Sequence, residues 1–169
     1  MDEIAALIEP QIPALRRYAW ALVRDSDAAD DLVQDCLEHA VGRWHLRRRD
    51  GNLRAWLFAI LHNLFVTSLR QRTRHGPHVG LDESAAFPPT GGEQEGHLAV
   101  RDVLTGLRLL PAEQREVLLL IGVEEMSYAE AAKVLNIPVG TVMSRLSRGR
   151  QSLHRYVETG RMTTLRRVK

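Results

Sequence analysis

Ser127-Tyr-Ala-Glu-Ala-Ala-Lys-Val-Leu135, Asn136-Ile-Pro138 and Val139-Gly-Thr-Val-Met-Ser-Arg-Leu-Ser-Arg-Gly-Arg-Gln-Ser-Leu153 read in series as two helices joined by a short turn. Ser127 stands before the first apolar periodic residue and Glu130 follows three positions later, the pattern of a reciprocal N-terminal cap. Tyr128, Ala131, Ala132 and Leu135 fall on one face of the first helix. Asn136-Ile137-Pro138 ends it, because the residue before a proline is pushed out of the α region, and Pro138 suits the first turn of the next helix. In the second helix Val142, Leu146, Leu153 and Val157 form a packing stripe. Thr141, Ser144, Arg145, Ser147 and Arg148 lie on or near the opposite face. Short hydroxyls and forked guanidiniums are the groups that reach phosphates and base edges in a major groove. The segment therefore reads as a DNA-reading helix-turn-helix.

The rest of the chain is compatible with that reading. Its 169 residues suffice for one ordinary domain or two small ones, and a hydrophobic fraction of 44% with only 5% aromatics predicts aliphatic cores. Leu, Ala and Arg dominate and β-branched runs are scarce, which favours an all-helical fold. One cysteine, Cys36, excludes an intramolecular disulfide framework. It reads as a small buried apolar residue, with a redox sensor as the alternative. No segment has the length of a membrane span and Met1-Asp2-Glu3 lacks a basic signal-peptide start, so a cytoplasmic protein without membrane insertion is expected. The net charge of +2 hides a strong asymmetry. Acids prevail from Asp2 to Glu38. From Arg43 to Arg74 the sign reverses, with Arg43, Arg47, Arg48, Arg49, Arg54, Arg70, Arg72 and Arg74 against Asp50, and the tail from Arg145 is basic again. Two arginine-rich blocks suggest two places where phosphate is met, against the plainer reading of solvated charged faces.

Apolar periodicity predicts a helix or helix pair over Ile4 to Val23, interrupted near Pro10 and Pro13. Asp25-Ser-Asp27 reads as a turn and cap. A helix over Ala28 to Trp44 then turns Leu32, Cys36, Leu37, Ala40 and Trp44 inward. Arg47 to Asn52 is a basic loop, and Leu53 to Arg72 is one long helix or two with a joint near His62-Asn63. Gly76 to Gly96 is Pro- and Gly-rich and acidic, a flexible linker. Leu98 to Leu110 and Pro111 to Val123 give two further helices. The expected division is residues 1–75, a linker over 76–97, a second domain over 98–160 and a basic tail over 161–169.

Gly140-Thr-Val-x-Ser-Arg-Leu-x-Arg-Gly-Arg150, preceded by Met126-Ser-Tyr-x-Glu-Ala-Ala132, resembles the −35-reading domain of bacterial sigma factors of the extracytoplasmic-function (ECF) type. A second block, Asp27-Ala-Ala-Asp-Asp-Leu-Val-Gln-Asp35 followed by Leu53-Arg-Ala-Trp-Leu-Phe-Ala-Ile-Leu-His-Asn-Leu-Phe65, is similar to the core-polymerase-binding and −10-melting domain of the same family. The resemblance implies an all-α fold of two small helical domains, with core RNA polymerase, promoter DNA and an anti-sigma factor as partners. It implies polymerase contact by Asp31, Leu32, Gln34 and Asp35, with Leu32 and Val33 partly structural. It places −10 melting at Arg54, Asn63, Arg70 and Arg72. Asn63, at the start of the last helix of this domain, is then the base contact, and the loop Arg47 to Asn52 helps select the base. It places −35 reading at Gly140, Thr141, Ser144, Arg145, Ser147 and Arg148. Met143 departs from the pattern, where family members often carry a basic residue. The linker would follow the RNA-exit path of the polymerase, or serve only as a tether.

No catalytic constellation, cofactor motif or metal-ligand spacing emerges. His75, His78 and His97 are scattered in or beside the linker, and Gly-x-Ser-x-Gly, Walker and His-Glu-x-x-His patterns are absent from the sequence. Asp30, Asp31 and Asp35 sit at helical spacing, which fits a solvated face or a metal site as well as the polymerase contact. Trp56 and Phe65 read as core or as stacking surfaces. Two alternatives remain at this level. One is a sigma-like interaction protein that sequesters an anti-sigma factor, the other a stand-alone helix-turn-helix regulator, which leaves Asp27 to Phe65 without a role.

Overall fold

The computed structural model describes residues 2–74 and 94–160. Among these every regular element is helical: α1 (Asp2–Ile8), α2 (Ile12–Val23), α3 (Ser26–Gly42), α4 (Leu53–Arg74), α5 (Gln94–Leu109), α6 (Ala112–Leu118), α7 (Tyr128–Leu135) and α8 (Val139–Thr159). They form two compact units, whose described parts are 2–74 with 132–136, and 94–131 with 137–160.

In the first unit both prolines fall where a missing N–H costs little. Pro10 lies in a 3-10 turn, Glu9–Gln11, and Pro13 opens α2. Arg24 takes a left-handed φ of 56° and closes α2 by donating its N–H to the Trp20 carbonyl at 2.8 Å. Asp25 is extended and caps α3, its carboxylate accepting the Ala28 N–H at 2.7 Å. The helix stops at Gly42, short of Trp44, which instead begins a 3-10 turn, Trp44–Leu46, and is half-buried. Asn52 caps α4 through its side-chain oxygen, which accepts the Ala55 N–H at 3.1 Å. Of the two readings of this stretch the single long helix holds, without a joint at His62-Asn63: α4 is one helix of 22 residues. It contains no proline or glycine to interrupt its ladder.

α3 packs between α2 and α4. Leu15, Tyr18, Cys36, Leu57, Phe58 and Leu61 are each 1% exposed or less. Burying a large apolar side chain of this kind is worth about 1.5–3 kcal/mol. Tyr18 and Phe58 meet in a tilted pair with ring centroids 5.3 Å apart. Cys36 donates its thiol to the Leu57 carbonyl at 3.4 Å, and burial pushes it up to about 12. A thiol so reluctant to ionise is a packing residue and no redox sensor.

In the second unit α5 starts at Gln94, inside the stretch read as linker, since the Pro and Gly density ends at Gly92. Residues 75–93, which hold His75 and His78, and the tail 161–169 lie outside the described residues. Pro111 occupies the N-cap of α6, and its carbonyl accepts the N–H groups of Gln114 and Arg115, both at 3.0 Å. The helix expected over Pro111 to Val123 leaves α geometry at Leu118 and widens into a π turn, Leu119–Val123. Glu124 donates its N–H back to Leu119 and Met126 donates to Leu120, each at 2.9 Å, while Glu125 takes a left-handed φ of 55°. α8 packs against both α5 and α6. Glycine permits the approach on each side. A Cβ on Gly149 would lie 3.0 Å from Leu118 Cδ1, and one on Gly106 would lie 2.6 Å from Leu153 Cδ1. Leu110, Val117, Leu120, Val142 and Leu146 form the core of this unit, each 2% exposed or less.

Candidate nucleic-acid and polymerase interfaces

The helix-turn-helix segment starts as its sequence predicts. The Ser127 N–H donates to Glu130 Oε2 and the Glu130 N–H donates to Ser127 Oγ, both at 3.1 Å, so two end donors of α7 are satisfied reciprocally. Ala131, Ala132, Val134 and Leu135 are buried. Tyr128, placed on the packing face by spacing, is 39% exposed, and Val134 is buried instead. Asn136 ends α7 with a left-handed φ of 53°, a conformation its short amide tolerates. Pro138 sits one position earlier than expected, at the N-cap of α8, and accepts the Thr141 and Val142 N–H groups at 3.0 and 3.2 Å.

α8 then divides into faces. Val142, Leu146 and Gly149 are buried and Leu153 is half-buried, while Val157, expected to continue the stripe, is 44% exposed. In the last turn the covered side is that of Tyr156, which is half-buried and lies against Gly106 of α5, and Val157 is left on the open side. Gly140, Ser144, Ser147 and Arg148 are exposed, and Thr141 is half-buried. Ser144 Oγ donates to the Thr141 carbonyl at 3.1 Å, which leaves its lone pairs as acceptors. Arg145 does not lie on this open face. Its side chain is 24% exposed and Nη2 pairs with Glu113 Oε2 of α6 at 3.5 Å. Spacing within α8 gives no warning of this, because the carboxylate comes from another helix. Beside it, burial pushes the Glu116 carboxyl up to about 7, against the pull of Arg115 and Arg145. Gly140 faces open space, with no atom within 4 Å of a built Cβ. The fold itself does not require glycine there.

The basic residues assigned to α4 are not gathered in one place. Arg54 is half-buried near the N-terminus, its guanidinium carbon 5.4 Å from the Phe58 ring centroid. Arg72 lies 18 residues further along, roughly 27 Å at helical rise. Asn63 is an exposed mid-helix residue, neither at the start of a helix nor a cap, since the continuous α4 runs through it. With Thr67, Arg70 and Arg74 it makes one exposed stripe at i, i+4, i+7 and i+11, all four side chains open to solvent. The sequence does not single out Thr67, and it marks Arg74 only as part of its arginine-rich block. Phe65 is buried and Trp56 half-buried. Trp56 meets Trp44 edge to face with centroids 6.1 Å apart, and the Arg47 guanidinium stacks on Trp44 at 4.7 Å. This stack buttresses the basic loop from behind. The Gly51 N–H, donated to the Arg48 carbonyl at 3.1 Å, closes its tip.

On α3, Asp31, Gln34 and Asp35 are exposed and share a stripe with Asp27 and Glu38. Gln34 donates to Glu38 Oε1 at 3.1 Å, and His39 Nδ1 donates to the Asp35 carbonyl at 2.9 Å. Leu32, included among the polymerase contacts, is 8% exposed and Val33 is 4% exposed, so both are core residues. Asp30 is set apart from its acidic neighbours. It accepts the Arg16 Nε–H at 2.8 Å, and that hydrogen bond holds its carboxyl below the usual carboxylate range. The acidic cluster therefore divides between an intramolecular tie and an open face.

Two helical units, an exposed acidic stripe on α3 and a helix-turn-helix over α7 and α8 define a protein of the sigma-factor class. Residues 8–62 match the Sigma2 domain of PhyR, and residues 101–153 match Sigma-70, region 4. The chain is 38% identical over 155 residues to the ECF RNA polymerase sigma factor EcfG of Rhodopseudomonas palustris, covering 90% of this chain and 83% of that protein. It is 31% identical over 150 residues to the ECF RNA polymerase sigma factor SigC of Mycobacterium tuberculosis, covering 86% and 80%. Among solved structures it is similar to the sigma factor RpoE of Bartonella quintana in complex with the anti-sigma factor NepR. That match has a TM-score of 0.82 and 34% identity, and covers 95% of this chain and 100% of that one. The chain belongs to the ECF RNA polymerase sigma factors.

Proposed function

We propose that this sigma factor binds core RNA polymerase through the open acidic stripe of α3, reads the −35 element with α8, and holds melted −10 bases along α4. The observation that carries the reading is the open face of α8. There Gly140, Ser144, Ser147 and Arg148 stand exposed on a helix whose other side is locked into the second unit. Gly140 lets a phosphate backbone come close to the helix N-terminus, where amide dipoles favour negative charge. Asp31, Gln34 and Asp35 offer two carboxylates and an amide to a basic partner surface. The Asn63, Thr67, Arg70 and Arg74 stripe offers hydrogen bonding followed by positive charge, the combination a single strand needs. In this reading core polymerase performs all the chemistry, the protein works in the cytoplasm where its polymerase is, and an anti-sigma factor restrains it. No described helix is long and apolar enough to cross a membrane.

A second reading draws on the match of residues 8–62 to the Sigma2 domain of PhyR. It makes the chain a sigma-like protein that sequesters an anti-sigma factor without initiating transcription. Run-off transcription with purified core polymerase on a promoter library separates the two: promoter-specific transcripts support the first reading, and no transcript on any template overturns it.

Arg148→Ala is expected to weaken binding of the holoenzyme to promoter duplex by about 1–3 kcal/mol and to relax discrimination at one −35 position. Competition between matched and scrambled −35 duplexes measures this, and equal losses on both reduce Arg148 to a phosphate contact. Asn63→Ala is expected to leave closed complexes intact and slow opening on duplex templates, because an extruded base no longer recovers part of its unstacking cost of a few kcal/mol. A pre-melted −10 bubble restores part of the yield. Permanganate reactivity of −10 thymines reads the opening directly, and wild-type reactivity on duplex DNA removes Asn63 from the base contact.

A further inference from the structure

On the assigned −35 helix, we infer that Val139 and Met143 form an apolar reading edge that contacts thymine 5-methyl groups in the major groove. This rests on the reading of α8 as the −35 helix and goes beyond it in naming the base chemistry read. Val139 is 42% exposed and Met143 is 52% exposed, although both are large apolar side chains on a helix with a packed core face one position away at Val142. At i and i+4 they stand side by side on the first two turns of α8, with Gly140 and Ser144 adjacent.

The surroundings favour DNA over a protein as the occupant. An apolar patch for a protein partner is usually broad and continuous. Here two side chains are set among exposed Gly140, Ser144, Ser147, Arg148 and Arg150. A thymine presents one methyl group beside one acceptor oxygen in the major groove, so its edge matches an apolar group next to a donor. Arg145 does not compete for this edge, because Glu113 holds it toward α6. Met143 is longer than Val139, and its unbranched thioether adapts to a methyl surface without a fixed rotamer.

The test uses the full chain assembled with core RNA polymerase and a pool of promoter duplexes randomised across the −35 element. The best-bound duplex is remade with deoxyuridine in place of each −35 thymidine in turn, which deletes one methyl and leaves every hydrogen bond. Wild type is expected to lose about threefold to fivefold in affinity at one or two positions, the change for burying one methyl group. Met143→Ala is expected to be indifferent to the substitution at one of them and Val139→Ala at its neighbour. Met143→Lys is expected to exchange thymine preference for guanine there. Both side chains are exposed, so the thermal melts of the variants should match wild type, which separates lost contact from lost fold. Wild-type indifference to every uracil, a selected element without thymine, or an undiminished uracil penalty in both alanine variants overturns the inference. Selection of no sequence at all overturns the −35 assignment as well, and is distinguishable from the other outcomes.

Discussion

Reversal of Asp31 and Asp35 to arginine is expected to abolish association with core RNA polymerase while leaving the protein folded. Both carboxylates are exposed on α3, on the side away from Leu32, Val33 and Cys36, so the helix keeps its packing when they change. Breaking a charged contact in an interface costs roughly 2–5 kcal/mol, and reversal adds like-charge repulsion to the loss. Two reversals therefore weaken binding by on the order of a thousandfold or more. Co-purification and fluorescence titration with core enzyme measure the loss. The same reversal at Asp30 works through a different contact, since that carboxylate is tied to Arg16. Its expected effect is on the α2–α3 tie, with core binding largely kept. Retained co-purification of the Asp31/Asp35 variant would remove the polymerase assignment from α3.

Acid is expected to destabilise the first unit through His62. This imidazole lies on α4, 7% exposed, beside Phe65 with ring centroids 6.5 Å apart, and Nδ1 is buried with no hydrogen-bond partner among the described residues. Burial holds it down to about 4, from an ordinary value of 6.5. Above pH 6.5 the ring is neutral in both folded and unfolded chains and costs nothing. As pH falls from 6.5 toward 4 the unfolded chain takes up the proton and the folded one resists it, so stability declines. The loss reaches about 2 kcal/mol by pH 5 and about 3 kcal/mol by pH 4. All three tryptophans, Trp20, Trp44 and Trp56, lie within residues 2–74, so urea unfolding followed by tryptophan fluorescence reports this unit. His62→Leu should flatten the slope between pH 6.5 and 4. An unchanged slope would mean that other groups govern acid unfolding. Glu116 works in the opposite sense in the second unit. Its raised value favours the folded state below about pH 4.5 and withdraws that support as pH climbs through about 7.

Sequence alone determined the parts that local chemistry controls. Ser127 with Glu130, Asp25 and the Pro10 and Pro13 pair announce where helices begin, because the groups that satisfy a helix end lie within three or four residues of it. The buried stripe of Leu57, Leu61 and Phe65 and the open acidic stripe of α3 follow from helical periodicity, which any reader of the chain can count. The same local signals supplied the all-helical fold, the helix-turn-helix and the polar face of α8.

Tertiary structure decided whatever depended on a residue far away in the chain. Asp30 and Asp31 are neighbours with the same charge, yet Arg16 on α2 takes one and leaves the other open. Arg145 and Arg148 lie one helical turn apart, and only the first meets Glu113 of α6. Leu32 becomes core on a helix packed between α2 and α4, and Val157 stays exposed while its neighbour Tyr156 lies against Gly106 of α5. Helical spacing tells which side chains share a face. Which of those faces is covered, and by which charge, depends on contacts between segments far apart in the chain, and no local pattern encodes them.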